Sequence, residues 1–188
     1  MQTIDITSLD REARARLTGE LKSAAKAREA VVIRGAAGAW QHELAADETA
    51  ADFHALALSL MSHPAPVALS VDGAVTGFGV ALVLAADVVV ASAGATLSTG
   101  GGATALATGA FRLLATAVSP AFAAALAYTG RTLSRAESIA AGLVVDADVE
   151  VIDTAGAMAV KRASVADRLA GLTDALAYDA LLARTVSS

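Results

Sequence analysis

The stretch 66–98, PVALSVDGAVTGFGVALVLAADVVVASAGATLS, decides how this chain is read. It runs from β-leaning residues through glycine punctuation into an apolar segment too long for a strand, and then into two more β-leaning runs. Residues 67–71 form the first expected strand, Asp72 and Gly73 close it, and residues 77–79, GFG, open a buried helix that ends at Asp87. Residues 88–91 then resume as a strand. A helix N-terminus is thereby set beside a strand end. Its first N–H groups have no partner within the helix and carry the positive end of the dipole, so they can hold an anion or a developing oxyanion.

The order of Val71, Gly73, Gly77, Gly79, Leu82, Leu84, Asp87, Ala91 and Ser92 resembles the central signature of the crotonase (enoyl-CoA hydratase/isomerase) family, VNGxAxGGGxELALxCDxxxAS. A second segment, YTGRTLSRAESIAAGLV at 128–144, is similar to the family's LTGRxxSAxEAxxxGLV. With weaker similarity at Ser8, Leu9 and 31–44, the resemblance covers most of residues 7–145. Residues 1–145 are accordingly expected to be a crotonase-like core, and 146–188 a C-terminal helical region of the same domain. The resemblance implies an α/β fold, a spiral of ββα units. It also implies a homo-oligomer, trimer or hexamer, with a hetero-oligomer containing an active homologue as an alternative.

Composition bounds the function classes. A chain of 188 residues, 55% of them hydrophobic, can bury one core and is short for two domains. Net charge of −5 and the absence of a long basic run exclude an electrostatic hold on nucleic acid or anionic membrane. Without cysteine there is no disulfide framework, thiol nucleophile or thiolate metal site. Asp87 interrupts the apolar run 74–91 before it reaches the ~20 residues of a bilayer span. The opening MQTIDITSLDREAR lacks an apolar h-region, which makes a cytoplasmic location the expectation. Mean hydropathy of +0.57 and an excess of alanine point to close helix packing and to subunit interface.

Around the central stretch, residues 2–7 read as a strand, and Thr7 or Ser8 as the cap of a helix whose inner face is Leu9, Ala13, Leu17, Leu21 and Ala24. A strand at 31–34 and a loop at 35–40 follow. Residues 49–62 form an amphipathic helix with Phe53, Leu56, Ala57, Leu60 and Met61 inward, ended by Pro64 and Pro66. Residues 98–104, STGGGAT, read as a loop, and 111–118 as a helix. Ser119 and Pro120 start another helix, which Gly130 ends. Ser134 and Glu137 make a capping box, Gly142 closes that helix, 143–145 is a short strand, and the pattern from 151 to 185 is helical.

By resemblance, an acyl thioester is bound and its enolate is held by two backbone N–H groups. The second donor falls at Phe78, the middle of the usual GGG. The first comes from the loop after the 31–34 strand, where the family carries FSAGADL and this chain reads WQHEL. Trp40 and Gln41 match FS, Glu43 and Leu44 match DL, and His42 takes the donor position with two residues deleted. The same matching assigns an acyl pocket to Trp40, Leu44, Phe78, Gly79, Ala81 and Gly101. The family's two glutamates fall on Ala81 and Gly101, neither of which can move a proton. Each lost acid or base removes roughly 10²–10⁴-fold, so ordinary enoyl-CoA hydration is not expected.

His42 and Glu43 are the candidates for a relocated acid or base, with Asp47, Glu48, Ser98, Thr99 and Thr104 behind them. Each also has a plain structural reading. His42 reads equally as a solvated loop histidine, the carboxylates as exposed partners of the next helix dipole, and the hydroxyls as turn residues. Asp72 reads as a turn former, His54 as surface or interface, and His63 as a helix end. No metal-ligand spacing occurs, and GxGxxL lacks the third glycine of a dinucleotide fingerprint. The expected function is binding of acyl-CoA or a pantetheine-linked acyl carrier protein through a backbone oxyanion hole, with no other cofactor. The alternatives are a non-catalytic structural or regulatory pseudoenzyme and a variant enolate-forming lyase or isomerase.

Overall fold

The structure, a computed structural model, describes residues 1–43, 48–146, 160, 161 and 176. One sheet contains β1 (Gln2–Ile6), β2 (Val31–Gly35), β4 (Val67–Val71) and β6 (Val88–Ala91), all parallel, in the order β1-β2-β4-β6. The other contains β3 (Gln41–His42), β5 (Ala74–Gly77), β7 (Thr96–Ser98) and β8 (Thr132–Ser134), in the order β3-β5-β7-β8, with only the last pair antiparallel. Alternation divides the strands between two faces: Val31, Ile33, Val67 and Leu69 enter the main core, while Val32 and Ala68 pack on the reverse face. The outer edge of β6 is closed by the Val145 N–H on the Val89 carbonyl and by Arg135 Nε on the Ala91 carbonyl, both at 2.8 Å. This mixed α/β architecture is the expected one.

Helix α1 (Arg11–Ala27) is capped by Asp10, not by Thr7 or Ser8. Asp10 Oδ1 accepts the Ala13 N–H at 2.8 Å, and Ser8 Oγ donates to the same carboxylate at 2.7 Å. A carboxylate between an N–H and a hydroxyl serves the helix start better than either hydroxyl alone. The inner face also differs from expectation. Leu17, Leu21 and Ala24 are buried, Ala13 is only half-buried, and Arg14 takes the inward position. Helix α2 (Ala50–Met61) buries Phe53, Leu56, Ala57, Leu60 and Met61, as its periodicity dictates, and starts from a capping box of Thr49 and Asp52. It also buries His54 within the chain, where the surface or an interface was expected. His63 is buried beyond the helix end, with Nδ1 2.8 Å from the Ala65 carbonyl oxygen.

Helix α3 (Phe78–Ala85) is buried at every position. Beyond it, the expected loop 98–104 is shorter than read, because α4 (Gly102–Ala107) begins within it. Helices α5 (Ala110–Ala117) and α6 (Pro120–Thr129) follow, the latter with Ser119 as N-cap and Gly130 in the left-handed conformation. Helix α7 (Arg135–Ala140) carries the capping box of Ser134 and Glu137. Residues 143–145 form no strand; their ladder role shrinks to the single Val145 bond on β6. The C-terminal helical region expected at 146–188 lies outside the described residues apart from Asp146, Val160, Lys161 and Leu176. Lys161 is buried, and its Nζ lies 2.8 and 2.7 Å from the two Asp87 oxygens and 3.2 Å from the Leu60 carbonyl at the end of α2. No helix among the described residues is long and apolar enough to cross a membrane.

Candidate functional site

The start of α3 is set by two glycines that admit another backbone. Gly77 has φ of 58°, and a methyl group built on it would overlap the His42 carbonyl oxygen. A methyl group on Gly79 would overlap the Trp40 carbonyl oxygen. The chain entering and forming β3 therefore lies directly on the helix start, with its own carbonyl oxygens against the glycines. Gln41 sits opposite Thr76 and His42 opposite Gly77, and the Thr76 N–H donates to the Trp40 carbonyl at 3.2 Å. In parallel pairing of this register the next rung runs from the His42 N–H to the Thr76 carbonyl, which directs the expected first donor into the sheet.

The residues matched to an acyl pocket are largely packed. Trp40, Phe78 and Ala81 are 1%, 2% and 1% exposed and belong to one hydrophobic cluster. The Trp40 indole lies on Gly35, where any side chain would overlap it. The Phe78 ring stacks on Phe53 with centroids 4.3 Å apart and a tilt of 30°, so its benzyl group turns into the core. Gly101 is exposed at the N-cap of α4, beside Gly130. Leu44 and Asp47 lie outside the described residues. Glu43 is exposed, whereas Ser98 is half-buried, with its hydroxyl 3.4 Å from the Gly130 carbonyl. The Thr99 hydroxyl donates to the Gly100 carbonyl at 3.1 Å and to the Leu126 carbonyl of α6 at 3.3 Å, so it ties the loop to that helix as well as serving a turn. A cavity of about 580 Å³ lies toward the opposite end of α3, lined by Val83, Leu84, Asp87 and Lys161 among others.

The structure brings together a group that pairwise sequence matching separates. His42 Nε2 is 2.7 Å from Glu48 Oε2, and Arg14 reaches Glu48 Oε1 at 2.5 Å. Arg14 also donates to the Leu9 carbonyl at 2.6 Å and lies over the Phe53 ring, 4.1 Å from its centroid. The His42 ring stacks on the same Phe53 at 4.8 Å. Side-chain exposures of 8% for Arg14, 5% for Glu48 and 14% for His42 show how little water reaches the group. Glu48 is thus a buried bridge rather than an exposed partner of the α2 dipole. A carboxylate accepts, so Nε2 is the imidazole nitrogen that donates to Glu48.

Arg14 is the member that the sequence reading missed. The signal was present, since Arg14, Leu17, Leu21 and Ala24 fall at i, i+3, i+7 and i+10. The expected stripe runs through Ala13, one residue away from the buried Arg14.

The sequence profile of the enoyl-CoA hydratase/isomerase family matches residues 9–185, and the chain belongs to that family. Among solved structures, it is similar to an enoyl-CoA hydratase from Mycobacterium avium subsp. paratuberculosis K-10, with 27% identity and a TM-score of 0.78 over 95% of this chain and 80% of that one. It is also similar to a monofunctional enoyl CoA isomerase from M. smegmatis, with 25% identity and a TM-score of 0.68 over 88% and 87% of the two chains. An enoyl-CoA hydratase from Thermoplasma volcanium GSS1, 23% identical with a TM-score of 0.72 over 95% and 82%, shares the fold. No curated protein matches the chain significantly.

Proposed function

We propose that this chain is a non-hydrating member of the enoyl-CoA hydratase/isomerase family. In this reading it acts as a structural or regulatory subunit. The observation that carries the reading is the packing of Ala81, 1% exposed in the main hydrophobic cluster, at a position matched to one of the family's acids. The residues matched to the family's acids, Ala81 and Gly101, supply no proton transfer in any case.

The expected outcome is crotonyl-CoA hydration indistinguishable from background, followed as loss of enoyl absorbance. Sustained turnover that tracks with the purified protein would overturn the proposal. Assembly into a trimer or hexamer, alone or with an active relative, belongs to the same reading; a stable monomer in sedimentation would remove that part.

A second reading is favoured by the 2.7 Å contact between His42 and Glu48. A carboxylate that holds an imidazole through Nε2 would leave Nδ1 of the neutral ring as the base of a variant enolate reaction. Butyryl-CoA would then exchange its α-protons with solvent deuterium, and His42→Ala would abolish the exchange. The first reading expects no exchange in either protein.

A further inference from the structure

We infer that Arg14 is a positioning residue for His42, acting through Glu48: it turns the buried carboxylate toward Nε2 and supplies the charge that keeps the imidazole neutral. This deepens the second reading above, in which His42 Nδ1 is a base, and rests on that reading only for what Nδ1 does.

Arg14 occupies a place on the inner face of α1 where the periodicity calls for an apolar side chain. A guanidinium is tolerated there only with partners. Its Nη1 lies 2.5 Å from Glu48 Oε1 and 2.6 Å from the Leu9 carbonyl oxygen, and its central carbon lies 4.1 Å from the Phe53 ring centroid. These contacts leave the cation little freedom. Glu48 meets that fixed charge with one oxygen and turns the other to His42 Nε2, at 2.7 Å. The His42 ring in turn lies on Phe53, with centroids 4.8 Å apart and a tilt of 35°. Guanidinium and imidazole thus share one aromatic floor and one carboxylate.

Charge balance follows from this sharing. With a neutral ring, the three side chains carry one positive and one negative charge. A second proton on the ring would add a positive charge near the guanidinium, in a place that little water reaches, so Arg14 opposes it. Without Arg14, the buried carboxylate would face His42 alone, and a proton on the ring would become its counter-charge. The other charged groups at these ends of α1, β3 and α2 are Asp10, Arg11, Glu12, Glu43 and Asp52, all exposed and screened by water. His54 on α2 is buried, with its ring 6.4 Å from that of Phe78. Strand β5 and helix α3, which also pack on β3, carry no titratable side chain.

Nitrogen-15 spectra of the full chain, labelled at its three histidines, read the protonation of each ring nitrogen at about pH 7.5. In the unaltered chain His42 should carry a proton on Nε2 and none on Nδ1. Arg14→Met keeps the length and the contact with Phe53 but removes the charge, and its His42 ring should be mainly protonated on both nitrogens. Arg14→Lys, which retains a charge, should return the ring to the neutral form. His63, beyond the other end of α2 and bonded to the Ala65 backbone, is the internal control and should not change. Where Arg14→Met does not fold, Arg14→Gln takes its place. A neutral His42 ring with its proton on Nε2 in the charge-removing variant would overturn the inference. So would a doubly protonated ring, or a proton on Nδ1, in the unaltered chain. Exchange of butyryl-CoA α-protons with solvent deuterium is followed alongside. The second reading expects exchange by the unaltered chain, slowed about threefold or more in Arg14→Met and recovered in Arg14→Lys. The expected ring states with no exchange, or with equal exchange in all three proteins, would uphold the hold of Arg14 on His42 and end the role of His42 as a base.

Discussion

Ala81 is the residue on which the proposed lack of hydratase chemistry turns. It is 1% exposed and lies in the main hydrophobic cluster, so its β-carbon points at packed side chains rather than at a water-filled pocket. A glutamate placed there would have to bury a carboxylate without a built partner. Burying an ionised group in apolar surroundings is costly enough that the group neutralises or the structure shifts. Ala81→Glu should therefore lower stability by about 3 kcal/mol or more in denaturant titration. A midpoint unchanged from the unaltered chain would show that an open pocket exists at Ala81. Phe78 follows the same logic, because its ring completes the stack on Phe53 instead of trimming a pocket. Resemblance matches Ala81 and Gly101 to the family's acids from residue identity; that Ala81 is packed while Gly101 is exposed follows only from the structure.

At the scale of elements, the helix caps give the clearest titration. Asp10 is held below the ordinary carboxylate range by the Ala13 N–H and then the Ser8 hydroxyl. Glu137 is held low by the Ser134 N–H and hydroxyl, with Arg131 adding to the effect. Both carboxylates are exposed, and their folded-state values lie below their unfolded ones. The unfolded chain thus binds more protons as pH falls into the carboxylate range. Their contribution is complete above the unfolded values and is lost as pH drops from there through the folded values. Asp10→Asn and Glu137→Gln should flatten the fall in thermal midpoint below about pH 4.5, with little change near pH 7. An acid limb as steep as that of the unaltered chain would contradict this origin.

The capping box of α7 was legible because Ser134 and Glu137 carry it locally, and the strands of the first sheet were legible from their apolar runs. Strands β3, β5 and β8 were not. Each is only two to four residues long, and their existence depends on partners distant in sequence rather than on a period of their own. Cap assignment at α1 failed for a related reason, as three polar residues compete within Thr7, Ser8 and Asp10 and only the backbone geometry selects one.

Across the whole molecule, the chain keeps its family's architecture, with Ala81 and Gly101 at the positions that resemblance matches to the family's acids. Motif matching made the start of α3 legible in the sequence. It could not find the tie from Arg14 through Glu48 to His42, because α1, β3 and the start of α2 meet only in the folded chain. The most direct test compares crotonyl-CoA hydration by the unaltered chain and by the folded Ala81→Glu, Gly101→Glu double variant, with an active hydratase as positive control. Both should remain at background, because the Ala81 β-carbon points into packed side chains and proton transfer depends on placement as much as on residue type. Hydration by the unaltered chain, or a gain of about 10²-fold or more in the double variant, would contradict the account by showing that a competent site is already open.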